Sequence, residues 1–271
     1  MRNVLTAKQT RVMTVLTAKQ TQVMNGVLAE EQSRRWHLVV SISGAHAYGF
    51  PSPDSDIDLK AIHAVPTREL LGLGPAPGPA ERLEVIDGVE IDYSSNELHG
   101  VLRSILLGNG NYIERVLGHL QPHTTAELQA LRPLVKAALS RKIYRHYLGF
   151  GRSQLQEWEK GGFRSAKKLL YVLRTTLTGV HALNTGEIVT DLTALMDALG
   201  FGEARALIEQ KTRGEKSELP ETLAEVWKGR TTHAFALLDE AHATSKLPEV
   251  PAAKSEAALD DWLLELRRAR M

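Results

Sequence analysis

The chain contains no cysteine among its 271 residues, which excludes a disulfide framework, a thiolate nucleophile and any thiolate-held zinc or iron–sulfur centre. Aromatic residues make up only 6% of it. No apolar run approaches the ~18 residues that a bilayer-crossing helix requires. An excess of one charge is missing too: 33 Lys and Arg face 32 Asp and Glu, a formal net charge of +1. With 43% hydrophobic residues and so little net charge, the composition is that of a folded globular chain and not of a disordered one. The N-terminus lacks the apolar stretch of a secretion signal, so the expected setting is cytoplasmic, with no membrane partner. Ten histidines are scattered without His-Glu-x-x-His spacing, and a nucleophile elbow, a Walker loop and a dinucleotide fingerprint are all absent.

What is present is ordered along the chain. Residues 4–10 (Val-Leu-Thr-Ala-Lys-Gln-Thr) recur at 15–21. An eleven-residue offset is close to three helical turns, so the two copies are expected on one face of a single helix. Residues 38–42 form a short β-rich run ending at Gly44, and 57–62 read as a second strand. The proline-rich stretch 75–79 reads as a loop. Beyond it, 83–86 and 89–93 flank Asp87-Gly88, a strong hairpin signal. From Glu97 onward the periodicity is helical, with breaks near 108–110, 121–122, 161–162, 200–202 and 247–251. The expected fold class is α+β: a small mixed sheet followed by an all-helical C-terminal half. The expected divisions are an N-terminal helical extension (1–35), a sheet-bearing domain (36–125) and a helical substrate- or nucleotide-binding domain (126–271).

The chemistry sits between the first two strands. Asp56 and Asp58 alternate at a strand start, so both side chains project from one face. Two carboxylates held that close repel unless a cation lies between them, and hard oxygen donors select Mg²⁺ or Mn²⁺. Asp92, with Glu90 on the same face, lies on the hairpin. If its strand neighbours the one carrying Asp56 and Asp58, three acids converge on a volume able to hold two metal ions. An Asp-x-Asp pair alone is also what turns and caps produce. The glycine-terminated strand upstream, the apolar residues around both acids and the third acid favour the metal reading.

These residues carry a resemblance. A strand ending in glycine, about a dozen residues, a hydrophobic-flanked Asp-x-Asp and a lone acid on a later strand resemble the polymerase-β-like nucleotidyltransferase superfamily. Gly44-Ala-His-Ala-Tyr-Gly49 with Pro53-Asp-Ser-Asp56-Ile-Asp58-Leu59 is most similar to the bacterial predicted-nucleotidyltransferase family that includes RNA-repair-associated polymerases. Residues 98–103, the Gly-Asn-Gly-Asn run 108–111 and residues 167–174 match that family as well. The resemblance implies a nucleotidyltransferase domain at 36–125, with Asp56 and Asp58 binding both metal ions and Asp92 the one that activates the attacking hydroxyl. It implies that the turn Ser43, Gly44, Ala45 and His46 meets the triphosphate, with Gly44 letting backbone N–H groups approach. The family usually has serine where this chain has Ala45. Loss of that hydroxyl implies weaker phosphate binding by roughly 1–3 kcal/mol.

Net charge conceals an asymmetry. Between Lys136 and Arg174 there are ten Lys and Arg and two acids, a block suited to a triphosphate or a nucleic-acid backbone. Lys167, Tyr171, Arg174 and Thr178 follow helical spacing as one polar face, while Leu169, Leu173, Leu177 and Val180 form an apolar stripe. Either that face is solvated, or it presents Lys167, Tyr171 and Arg174 to the nucleotide or acceptor. The resulting expectation is Mg²⁺- or Mn²⁺-dependent transfer of a nucleoside monophosphate from an NTP, ATP foremost, to a hydroxyl, with an RNA end as acceptor. A protein or small-molecule acceptor, or a non-catalytic nucleotide- or RNA-binding module, stays open at this point.

Overall fold

The computed structural model describes residues 15–75, 78–213 and 218–271. The elements run α1 (Ala18–Arg34), β1 (His37–Ile42), α2 (Gly44–Tyr48), β2 (Ile57–His63), α3 (Thr67–Leu71), β3 (Ala80–Ile86) and β4 (Val89–Glu97). Then follow α4 (Leu98–Leu106), α5 (Gly110–Leu117), β5 (His123–Thr124), α6 (Ala126–Ala137), α7 (Ile143–Lys160) and α8 (Ala166–Thr185). The chain closes with α9 (Leu192–Leu195), α10 (Ala204–Thr212), α11 (Glu221–Thr244) and α12 (Ala253–Ala269). A mixed sheet and a helical C-terminal half are thus both present, as the α+β reading requires. No helix among the described residues is long and apolar enough to cross a membrane.

The five-stranded sheet has the order β3-β4-β2-β1-β5. Only β2 and β4 are parallel; β1 pairs antiparallel with β2 and β5, and β3 with β4. The β3–β4 hairpin turns at Asp87 (φ 52°) and Gly88 (φ 77°), the paired positive angles of a type I′ turn that Asp-Gly sequences supply. The two-residue edge strand β5 has no alternation to announce it, and helical periodicity alone did not foresee it.

Alternation gives the sheet two chemically distinct faces. Ile57, Leu59, Ile91 and Tyr93 point to one face, where Val23, Met24, Val27 and Leu28 of α1 cover them. Asp58, Lys60 and Asp92 point to the other. The expectation of one helix through both N-terminal repeats does not hold within the described residues. Thr17 adopts an extended conformation (φ −67°, ψ 164°) and caps α1, its side chain accepting from the Gln20 N–H while Gln20 answers through the Thr17 N–H. The second repeat therefore straddles a capping box, Thr-Ala-Lys-Gln, that breaks the helix. The first repeat lies outside the described residues.

The largest apolar cluster joins Leu38, Val39 and Ile62 of the sheet to Leu128, Leu131, Leu183, Leu238 and Leu259 of the later helices. The C-terminal helix is stapled back onto the sheet: Arg267 donates to the Val65 carbonyl at 2.9 Å and pairs with Glu97, and Thr67 donates to the Arg267 carbonyl at 2.7 Å. Arg267 is therefore buried in an ion pair and not a surface phosphate contact.

His37, at the start of β1, is buried with its Nε2 2.6 Å from the Tyr93 hydroxyl. Burial, then Arg35 and the neighbouring His63 and His123, lower its pKa to about 4. The folded state therefore takes up this proton at lower pH than the unfolded chain does. Its stabilising effect is complete above pH 6.5 and is lost as pH falls toward 4. Between pH 7 and pH 5 the protein should lose about 2 kcal/mol more unfolding free energy than its His37→Gln variant. Urea titrations at both pH values check this, and parallel losses in the two proteins would remove His37 as the cause.

Candidate active site

The acids are assembled by strand register. In the parallel β2–β4 pair, Asp58 lies opposite Asp92 and Lys60 opposite Ser94. In-register neighbours share a face, so the Asp58 and Asp92 carboxylates stand side by side. Asp56 immediately precedes β2 and adds its charge: burial first, then Asp56 and, to a smaller degree, Asp92 raise the Asp58 pKa to about 6, against the opposing pull of Lys60 and Lys167. The structure thus brings together the three aspartates that the sequence singled out, while Glu90 is exposed further along β4.

A lysine stands among them. Lys60 Nζ lies 2.8 Å from Asp92 Oδ2 and 3.8 Å from Asp58 Oδ1, with its side chain mostly buried. Sequence reasoning passed over it, although it continues the Asp56, Asp58 alternation by one step. Among the described residues, no three His, Asp or Glu side chains are grouped as metal ligands are. The donor set nevertheless fits a hard divalent cation. Asp58 and Asp92 stand side by side with Asp56 within electrostatic reach, and an ammonium already stands in as the cation between two of them.

The turn after β1 is built around Asp58. The Ser43 N–H donates to the Asp58 carbonyl at 2.8 Å, and Gly44 follows at φ +62°. A Cβ on Gly44 would stand 1.8 Å from Asp58 Oδ2, so only glycine admits the carboxylate at this distance. Ser43 Oγ lies 3.0 Å from the Tyr48 hydroxyl. The four turn residues then separate. Ser43 and His46 line a cavity of about 660 Å³ together with Tyr48, Lys60, Glu114 and Arg115. Ala45, in contrast, is buried in an apolar cluster with Phe50, Leu169 and Leu170, away from the cavity lining. His46 is buried beside the cavity, and burial lowers its pKa.

The helical half closes the site unevenly. Lys167 and Tyr171 of α8 come within electrostatic reach of Asp58, and Tyr171 also feels Asp56. The rest of the expected polar face turns inward. Arg174 is 1% exposed, pairs with Glu114 and lies 3.7 Å above the Tyr48 ring. Thr178 is buried and donates to the Val189 carbonyl at 2.9 Å. Arg174 therefore supports the cavity wall from behind and does not present its guanidinium to a ligand. A second lysine escaped sequence reasoning altogether. Lys211 of α10 is fully buried, with Nζ 2.7 Å from Ser52 Oγ and 2.8 Å from Ser55 Oγ. It tethers the loop that leads into Asp56, and no local pattern links residues so far apart in sequence.

Residues 20–265 match RlaP, the RNA repair pathway DNA polymerase beta family. The chain belongs to that family. It is 28% identical over 218 residues to the uncharacterized protein MJ0002 of Methanocaldococcus jannaschii, covering 79% of this chain and 88% of that one. It is 32% identical over 203 residues to the uncharacterized protein YcgL of Bacillus subtilis, covering 70% and 75%. Among solved structures, a nucleotidyltransferase-like protein from Exiguobacterium sibiricum 255-15 aligns over 92% of this chain and 80% of its own, with 11% identity and a TM-score of 0.32. As a member of RlaP, the chain is a polymerase-β-like nucleotidyltransferase.

The Gly44–Asp58 contact yields a direct prediction. Gly44→Ala should destabilise the protein by about 2–4 kcal/mol, part from the left-handed backbone and part from the displaced carboxylate. In an Asp58→Ala background the same substitution should cost only about 1–2 kcal/mol, the backbone share. Urea denaturation of the four proteins measures the coupling. Equal costs in both backgrounds would show that the two residues do not press on each other.

Proposed function

We propose that the protein transfers a nucleoside monophosphate from an NTP, ATP foremost, to a hydroxyl at an RNA end, with two Mg²⁺ or Mn²⁺ ions held by Asp56, Asp58 and Asp92. The observation that carries this reading is the in-register pairing of Asp58 with Asp92, with Asp56 within electrostatic reach; Lys60, which stands between Asp58 and Asp92, and Ser43 line a cavity of about 660 Å³. Cavities of this size suit small-molecule ligands such as a nucleotide. Bound divalent ions would neutralise charge on the attacking and leaving oxygens of an in-line displacement.

The chain's own residues do the positioning. The Ser43 N–H is taken up by the Asp58 carbonyl, and the turn brings the Gly44 backbone against the Asp58 carboxylate, where a backbone N–H can meet an anionic ligand. Ser43, His46 and Arg115 supply further polar groups along the cavity wall. Lys167 and Tyr171 bring a cation and a hydroxyl from α8 toward the acids, so that residues 36–125 contribute carboxylates and residues 126–271 contribute the opposing helices. The basic block between Lys136 and Arg174 supports a polyanionic acceptor, and its Arg145 and Arg152 are exposed along α7.

Incubation with Mg²⁺, each labelled NTP and total RNA tests the reading. Label should appear on RNA, and Asp56→Asn, Asp58→Asn or Asp92→Asn should each reduce it at least about a hundredfold. Label on protein or on a small molecule would replace the acceptor. NTP binding with no transfer at all would leave a binding module and not an enzyme.

A further inference from the structure

We propose that Lys60 is an exchangeable counter-ion: it balances Asp58 and Asp92 while no divalent cation is bound, and the cation displaces it toward the cavity, where its ammonium meets the phosphates of the incoming nucleotide. This rests on the preceding reading of the three aspartates as a divalent-cation site.

Three observations carry it. The ammonium lies between two carboxylates that strand register holds side by side, 2.8 Å from one and 3.8 Å from the other. A divalent ion shared by those carboxylates and an ammonium in the same space exclude each other by like-charge repulsion. The same side chain also lines the cavity with Ser43 and Arg115, so its flexible stem serves both positions without backbone movement. Finally, the displaced charge has a use. Once divalent ions satisfy the acids, the ammonium is surplus there, and a triphosphate in the cavity is the anion within its reach.

Exchange of this kind makes metal and nucleotide favour each other. Each ligand stabilises the arrangement in which Lys60 has left the acids, so the coupling is reciprocal. A fixed structural lysine would add nothing to the linkage that direct contact between metal ions and phosphates already gives, and its removal would not shift the two affinities in opposite directions.

Two measurements decide it. In the unaltered protein, Mn²⁺ affinity followed by electron paramagnetic resonance should rise about tenfold when a non-hydrolysable ATP analogue is present. In Lys60→Met, Mn²⁺ without nucleotide should bind about tenfold tighter than to the unaltered protein, while the analogue at saturating Mg²⁺ should bind about tenfold weaker. Lys60→Arg should hold the analogue within a few fold. Opposite shifts for the two ligands cannot come from general distortion, which weakens both. Equal Mn²⁺ affinity with and without the analogue, or Mn²⁺ affinity unchanged or weakened in Lys60→Met, would overturn the exchange while leaving the metal site standing. Absence of Mn²⁺ binding to the unaltered protein would instead overturn the metal site, and the exchange with it. The first measurement needs no variant, so a Lys60→Met protein that fails to fold does not shield the proposal.

Discussion

The rest of the site depends on one constraint, the repulsion between carboxylates that strand register forces together. Asp58 and Asp92 occupy partner positions on parallel neighbours, and neither can move away without breaking the ladder between β2 and β4. Asp56 adds a third charge one step outside the strand. The fold answers this crowding locally. Lys60 supplies an ammonium from the same strand face, while burial and the neighbouring acids raise the Asp58 pKa to about 6. Gly44 surrenders a side chain so that the turn after β1 can close on the Asp58 carboxylate. Each device tolerates negative charge at a place where a globular protein without that function would have apolar or hydroxyl side chains.

Holding such a cluster requires rigid surroundings, and the helical half provides them from several directions. Lys211 reaches from α10 to Ser52 and Ser55, fixing the loop before Asp56. Arg174 and Glu114 form an ion pair behind the cavity wall; Glu114 also accepts from Tyr147, and the Arg174 guanidinium covers the Tyr48 ring. Tyr48 in turn meets Ser43 in the turn beside Asp58. Removing one partner from a buried pair of this kind leaves an uncompensated charge, a far larger penalty than the pair's net contribution to stability. The network therefore specifies geometry more than it adds stability, and the geometry it specifies is that of the turn and the acids.

Much of this was legible in the sequence because it obeys short-range periodicity. The strands β1, β2 and β4, the Asp87-Gly88 hairpin and the three aspartates follow from alternation and turn chemistry, which act over a few residues. Lys60 obeys the same alternation, but alternation alone does not say that an ammonium stands between the acids. The capping box at Thr17 is likewise written in four residues, Thr17 to Gln20, and it overrides the eleven-residue period of the repeat. Other features were beyond reach. Lys211 meets its serines across more than 150 residues of sequence. Ala45 and its neighbour His46 differ in environment because a five-residue helix turns one into an apolar cluster and the other to the cavity.

The helix α8 shows most clearly what spacing leaves undecided. A polar face at i, i+4, i+7 and i+11 predicts that four side chains share a direction, but not what lies in that direction. Here the face comes within electrostatic reach of the acids at Lys167 and Tyr171, then runs under Tyr48 and α5 at Arg174, and Thr178 donates to the Val189 carbonyl. Charge counted along the sequence misleads for the same reason. Of the ten cations between Lys136 and Arg174, Lys136 pairs with Glu187, Arg141 with Glu249, Lys160 and Lys168 with Glu157, and Arg174 with Glu114. Most of those carboxylates come from outside the window, so a local excess is partly neutralised by folding. What a polyanion would feel is set by the cations that face outward, Arg145 and Arg152 on α7 and Arg164 just before α8, a weaker field than the sequence total implies.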